Sequence, residues 1–307
     1  MQISGSITAL ATPFTTHGDL DLEAWRASLE RQLRAGTQGL VVAGSTGEAA
    51  MLTLDEFVQL ASCAVELVAG RVPVLAGAGL SGTEKTIAQC RQAQAAGVDA
   101  VLVAAPAYVR PTQEGLRSHF EAVAEALEIP VVLYNVPSRT AVDLLPGTVA
   151  ALAAHPRIVG IKEAVPDPAR MAALLALRGP DFVVLSGDDG SACEAMLAGA
   201  AGVVSVASNA APASFRRLCD WARGGQAVAA RELDETLRPL YRFLALEPNP
   251  TPIKAILAEL GRCRNRLRLP LLPLSSRLAP ELATSIETIR NSEATTWPEP
   301  AGDPIVE

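Results

Sequence analysis

Two short stretches of this sequence bring together residue types that do chemistry: Gly44-Ser45-Thr46-Gly47-Glu48, and Val159-Gly160-Ile161-Lys162-Glu163-Ala164. The second sets a lysine at the end of an apolar run, in a chain that has three lysines against twenty-three arginines. Arginine stays protonated in proteins, whereas an amine set in an apolar wall loses its proton more readily, and the neutral amine is the nucleophile that forms a Schiff base with a ketone. Strand-end lysines also snorkel, or form half of a buried ion pair, here with a neighbour such as Glu163. The scarcity of lysine and its placement favour covalent chemistry.

The glycine-rich turn offers successive backbone N–H groups beside the hydroxyls of Ser45 and Thr46, a nest suited to a carboxylate. The bland alternative is a loop that merely lets a strand turn into its helix. It matches neither a Walker loop nor a GxGxxG fingerprint, so no nucleotide is implied. Tyr134 and Tyr108 fall where strand ends are expected. Each could be a core aromatic with a satisfied hydroxyl, but beside an amine nucleophile a chain of Tyr and Ser hydroxyls can relay protons to and from carbinolamine and enamine intermediates. Arg139, in VPSRT, is either a solvated loop charge or a planar fork for a substrate carboxylate. His17, His119 and His155 lie away from strand ends, and no HxH, HExxH or Cys/His cluster occurs, so metal catalysis is not indicated. Asp188 and Asp189 leave a cation as a minor alternative.

Positioning these groups requires strands. Short apolar runs bounded by Gly or Pro begin at Ser6, Gly39, Val72, Ala100, Pro130, Ile158, Phe182 and Gly202. They are Val-rich and continuous, as parallel strands covered on both faces are. Segments with helical spacing lie between them, and Thr53 with Glu56 has capping-box spacing. Eight alternations at intervals of roughly 20 to 33 residues predict an α/β fold, a (β/α)8 TIM barrel, over residues 1–224. A C-terminal helical region follows over 225–293, with helices near 226–246, 251–262 and 279–290. Residues 294–307 are Pro-rich and acidic and are expected to form a loosely ordered tail. In such barrels chemistry sits at the C-terminal ends of the strands, where Ser45, Tyr108, Tyr134, Lys162, Gly187 and Ser205 are expected.

The composition excludes several classes. Hydrophobic residues make up 49% and aromatics 4%, which gives an ample aliphatic core, and the formal charge of -7 argues against a nucleic-acid partner. The five cysteines have no CxxC spacing and read as reduced. The N-terminus lacks the pattern of a signal peptide, and no apolar stretch approaches about 18 residues, so the expected location is cytoplasmic, with no membrane partner.

GSTGE, YNVPSRT, GIKEA, LSGDD and EPNPTPIK, in this order and spacing, closely resemble the dihydrodipicolinate synthase family, within the wider group of pyruvate-dependent Schiff-base aldolases and lyases. The similarity runs from about Ile3 to about Arg290. It implies condensation of pyruvate with L-aspartate 4-semialdehyde on a lysine Schiff base, in the diaminopimelate route to lysine, with no cofactor and no metal. Lys162 corresponds to the Schiff-base lysine, Tyr134 to the centre of a proton relay and Ser45 to the hydroxyl beside it. Tyr108 corresponds to a tyrosine contributed by a neighbouring subunit. Thr46 belongs to the turn that holds the pyruvate carboxylate, and Arg139 to the site entrance that engages the semialdehyde carboxylate. Gly187 and Val204 match backbone positions lining the pyruvate pocket. Members are commonly homotetramers built as dimers of dimers. The alternative within the group is a pyruvate-forming sugar-acid aldolase, such as an N-acetylneuraminate lyase or a 2-keto-3-deoxygluconate aldolase, but those relatives differ after YN.

Two departures stand out. Ser45 replaces the usual first Thr of the turn, which keeps the hydroxyl and loses the methyl that restricts its rotamer. Members inhibited by lysine carry paired tyrosines, polar residues in the helix after the turn and an acidic residue, where this chain has Ala107 before Tyr108, Leu54 and Phe57, and Lys85. A cation there repels the effector's ammonium, so feedback by lysine is expected to be weak or absent.

Overall fold

The structure is a computed structural model that describes residues 2–296. Eight parallel strands close into a barrel in chain order: β1 (Gly5–Ala9), β2 (Gly39–Val42), β3 (Val74–Ala78), β4 (Ala100–Ala104), β5 (Val131–Asn135), β6 (Ile158–Glu163), β7 (Val183–Ser186) and β8 (Gly202–Ser205), with β8 pairing back onto β1. All eight expected strands are present. Helices α1 (Leu22–Arg34), α2 (Leu54–Val68), α3 (Thr83–Ala95), α4 (Gln113–Glu125), α5 (Pro137–Thr140), α6 (Pro146–Leu152), α7 (Pro168–Leu175), α8 (Ala192–Leu197) and α9 (Pro212–Arg223) follow the strands. The capping box is formed: Thr53 accepts from the Glu56 N–H, and the Glu56 carboxylate accepts from the Thr53 N–H.

The strands read as continuous apolar runs because both faces are buried. Successive side chains point to opposite faces, so in β4 Ala100 and Leu102 join the barrel interior while Val101 and Val103 pack against the helices. Among the described residues the strands carry charged side chains only at the C-terminal end of β6, Lys162 and Glu163.

Three further helices complete the described chain: α10 (Ala227–Leu244), α11 (Thr251–Glu259) and α12 (Ala279–Thr296). In α10, Ala230, Leu237, Leu240 and Phe243 form a buried stripe at helical spacing, and the helix packs on α9 and α12. The last expected helix is longer than its pattern suggested, since α12 takes in the first three residues of the expected tail; the rest of that tail lies outside the described residues. Cys63, Cys90, Cys193 and Cys219 are buried free thiols on helices, and Cys263 is a half-buried free thiol. Among the described residues no helix is long and apolar enough to cross a membrane.

Candidate active site

The parallel pairing of β5 with β6 sets Tyr134 directly beside Lys162. Both side chains face inward, and the Lys162 Nζ lies 4.1 Å from the centroid of the Tyr134 ring, an electrostatically favourable seat for an ammonium. Lys162 is 6% exposed and Tyr134 8%. The alternation along β6 turns Glu163 to the other face of the sheet. There it accepts from Arg170 at 2.7 Å, from the Asn135 amide at 3.1 Å and from the Val165 N–H at 2.8 Å. The Lys162–Glu163 ion pair is therefore not formed, and among the described residues no carboxylate lies within 4.0 Å of the Lys162 ammonium.

Gly187, just past β7, gives this lysine its room. A Cβ there would sit 2.9 Å from the Lys162 Cε and 3.0 Å from its Cγ, closer than real side chains approach. The Gly187 N–H also donates to the Glu163 carbonyl at 2.7 Å, tying the end of β7 to β6.

The turn after β2 is tightly wound. The N–H groups of Gly47 and Ala49 donate to the Gly44 carbonyl, and that of Glu48 donates to the Ser45 carbonyl. The N–H groups of Ser45 and Thr46 are left without an acceptor among the described residues. Gly77 on β3 lets this turn come close, because a Cβ there would meet the Ala43 carbonyl and the Gly44 Cα at 2.6 Å.

Ser45, Thr46, Tyr134, Arg139, Lys162 and Gly187 line one cavity of about 560 Å³ at the C-terminal end of the barrel. Arg139 stands exposed at its edge on α5, which Pro137 starts, and donates to the Asn249 carbonyl at 2.9 Å. Cations thus border a cavity with hydroxyls and N–H donors on one wall and an amine without a counter-ion on another. This suits a small carboxylate-bearing ketone.

Two expected site residues lie outside the cavity lining of this chain. Tyr108 is 90% exposed and lies outside the cavity lining, with φ +74°, uncommon for an aromatic residue. Two tyrosine hydroxyls therefore do not converge within one chain, because the residues after β4 carry Tyr108 away from the barrel axis. Val204 belongs to the apolar barrel interior; Val206, two residues further on, lines the cavity.

Asp188 and Asp189 are engaged by protein donors. Asp188 accepts from the N–H and hydroxyl of Ser191, and Asp189 accepts from the N–H groups of Val206 and Ala207, joining the ends of β7 and β8. Burial pushes the Asp189 carboxyl up to about 6, against the pull of the Ser205 hydroxyl and those two N–H groups. His119, buried on α4 beside Thr83 of α3, is pulled down to about 4 by burial.

The sequence reading passed over the C-terminal contribution. Pro248, Asn249, Pro250, Pro270 and Leu271 complete the cavity wall, and the Asn249 amide donates to the Thr46 hydroxyl at 3.0 Å. The signal available was EPNPTPIK, a motif with no chemistry assigned to it.

Residues 2–289 match the dihydrodipicolinate synthetase family. The chain is 62% identical over 280 residues to the 4-hydroxy-tetrahydrodipicolinate synthase of Xanthomonas axonopodis pv. citri (strain 306), covering 91% of this chain and 92% of the relative. Among solved structures, the chloride-inhibited dihydrodipicolinate synthase from Acinetobacter baumannii, complexed with pyruvate, superposes with a TM-score of 0.92 at 38% identity, covering 94% of this chain and 99% of that one. The 4-hydroxy-tetrahydrodipicolinate synthase from Methylacidiphilum fumariolicum SolV gives 0.93 at 38% identity, over 96% and 98% of the two chains. With a closed eight-stranded barrel, an inward lysine on β6 and this likeness along nearly its whole length, the chain belongs to the dihydrodipicolinate synthetase family.

Proposed function

We propose that this chain condenses pyruvate with L-aspartate 4-semialdehyde to give 4-hydroxy-tetrahydrodipicolinate, with Lys162 as the nucleophile. The observation that carries the reading is the Lys162 amine, buried on a cavity wall against the Tyr134 ring with no counter-ion among the described residues. The neutral amine adds to C2 of pyruvate and loses water to form the imine. Removal of a methyl proton gives the enamine, whose carbon attacks the aldehyde. The amino group of the second substrate then attacks C2 and releases Lys162, so no cofactor or metal is required. Ser45 and Thr46 hold the pyruvate carboxylate with their free N–H groups and hydroxyls, Tyr134 moves protons beside Ser45, and Arg139 receives the carboxylate of the semialdehyde. The main chain at Gly187, and Val206 where the resemblance implied Val204, border the pyruvate.

A coupled assay with both substrates, run beside Lys162→Ala, tests the reading. Turnover that vanishes in the variant supports it. A parent that turns over neither substrate pair nor forms a borohydride-trapped pyruvate adduct overturns it.

Tyr108 joins this relay from a second chain, since its own chain leaves it exposed. The working form is thus a homo-oligomer, a tetramer built as a dimer of dimers, in the cytoplasm. Mixing Tyr108→Phe with Lys162→Ala under exchange conditions should restore activity; absence of recovery would show that the sites are not shared. Lysine should inhibit weakly or not at all, given exposed Lys85, exposed Leu54 and a Phe57 buried in the core. Full inhibition by submillimolar lysine would reverse this.

A further inference from the structure

We propose that Glu48 and Lys254 are positioning residues: their ion pair fastens the Ser45-Thr46 turn to α11 and so sets the affinity for pyruvate. The proposal rests on the assignment of that turn to the pyruvate carboxylate.

Glu48 closes the turn in a left-handed conformation, φ +57°, which a residue with a Cβ adopts only when its surroundings hold it there. Its side chain and that of Lys254 are both 0% exposed, and the Lys254 Nζ donates to Glu48 Oε1 at 2.6 Å. The same ammonium donates to the Thr12 carbonyl at 2.8 Å and sits 4.3 Å from the centroid of the Phe14 ring. Glu48 Oε2 accepts from the Arg268 N–H at 2.9 Å. Both charges are thus held on several sides.

The turn is anchored twice more. The Thr12 hydroxyl donates to the Gly47 carbonyl at 2.7 Å. Asn249, five residues before Lys254, donates its amide to the Thr46 hydroxyl. A hydroxyl that accepts from Asn249 must send its own proton elsewhere, and Thr46 lines the cavity. One C-terminal segment therefore fixes both where the turn sits and which way Thr46 can donate. Two charges buried this completely are a poor way to gain stability, because their desolvation offsets the attraction. What they supply is a fixed geometry.

The experiment compares Lys254→Met, the double variant Glu48→Gln/Lys254→Met and Thr46→Val in steady-state kinetics and thermal melts. Lys254→Met strands a buried carboxylate and is expected to lower the melting point. The double variant removes both charges and recovers it, so it carries the test even if the single variant does not fold. The pyruvate KM should rise about tenfold in the double variant, while the semialdehyde KM changes less than about twofold. Adding Thr46→Val to the double variant should give less than the product of the separate effects, since both act through one turn. A raised pyruvate KM in Thr46→Val beside an unchanged one in the double variant overturns the latch alone. An unchanged pyruvate KM in Thr46→Val overturns the carboxylate assignment and the latch with it.

Discussion

Two of the three lysines are buried, and they are held in opposite ways. Lys254 has a carboxylate at 2.6 Å, a carbonyl at 2.8 Å and an aromatic face beneath it. Among the described residues Lys162 has only the Tyr134 ring for its ammonium, and its neighbour Glu163 is spent on Arg170 across the sheet. Burial lowers the Lys254 pKa, against the pull of Glu48, but an amine bonded to carboxylate and carbonyl is not presented to a ketone. A buried lysine is open to a substrate when the fold gives it a cavity and withholds its counter-ion; with the counter-ion it is a fastener. Lys85, exposed on α3, does neither.

The largest effect expected from this contrast is on activity. Lys162→Met should lower kcat/KM by a factor on the order of 10⁴ or more, because covalent catalysis is lost outright. It should leave stability in denaturant titrations unchanged or slightly raised, since no buried carboxylate is orphaned. A loss of stability comparable to that of Lys254→Met would erase the distinction between the two lysines.

The matching substitution at the other lysine should act on stability first. Lys254→Met strands the buried Glu48 carboxyl without its cation, and removal of one partner from a buried pair costs about 3–5 kcal/mol. Urea unfolding of both variants side by side sharpens the comparison. A cost below about 1 kcal/mol, the range of exposed pairs, would mean that water reaches Glu48.

How far this contrast could be read in advance follows from where the partners lie. Strands β1 to β8 were legible because continuous apolar runs separated by helical spacing have few other solutions. Lys162, Tyr134 and the GSTGE turn were legible because chemistry in such a barrel gathers at strand ends. Glu48 was visible only as part of the turn, since its partner is 206 positions away, and no local pattern joins two such residues. Asn249 was hidden for the same reason, at 203 positions from Thr46. Tyr108 was expected on the rim with Tyr134, but the left-handed backbone after β4 sends it outward, and periodicity carries no information on such a turn.

The contrast between paired and unpaired charges extends to the carboxylates. Glu163 has Arg170, whereas Asp189 has no cation within 4.0 Å among the described residues, and burial raises it from an ordinary 3.8 to about 6. A raised pKa in the folded state means that the folded protein holds this proton after the unfolded chain has released it. The stability linked to Asp189 is therefore full below about pH 4 and is lost as pH rises through about 6, by on the order of 3 kcal/mol. Asp189→Asn keeps an acceptor for the Val206 and Ala207 N–H groups and does not titrate. The stability of the parent relative to this variant should fall between pH 4 and pH 6. Parallel curves for the two proteins would show that Asp189 titrates normally.

The smallest effect expected is at Gly187, and it tests whether Lys162 needs the space it has. Gly187 does not have a positive φ, so alanine there meets no backbone penalty, and the whole cost arises from contact with Lys162 and, at 3.1 Å, the Ala164 Cβ. A lysine side chain gives way by rotating its stem, which limits the loss of stability to about 1 kcal/mol. The amine is then displaced by a fraction of an ångström, and a shift of that size in a reacting group costs about ten- to a hundredfold in rate. Gly187→Ala should therefore lower kcat and slow borohydride trapping of pyruvate by the same factor, with nearly unchanged folding. If kcat fell while trapping kept its parental rate, the alanine would be disturbing a later step, and the free space beside Lys162 would not be what makes this lysine, unlike Lys254, available to a substrate.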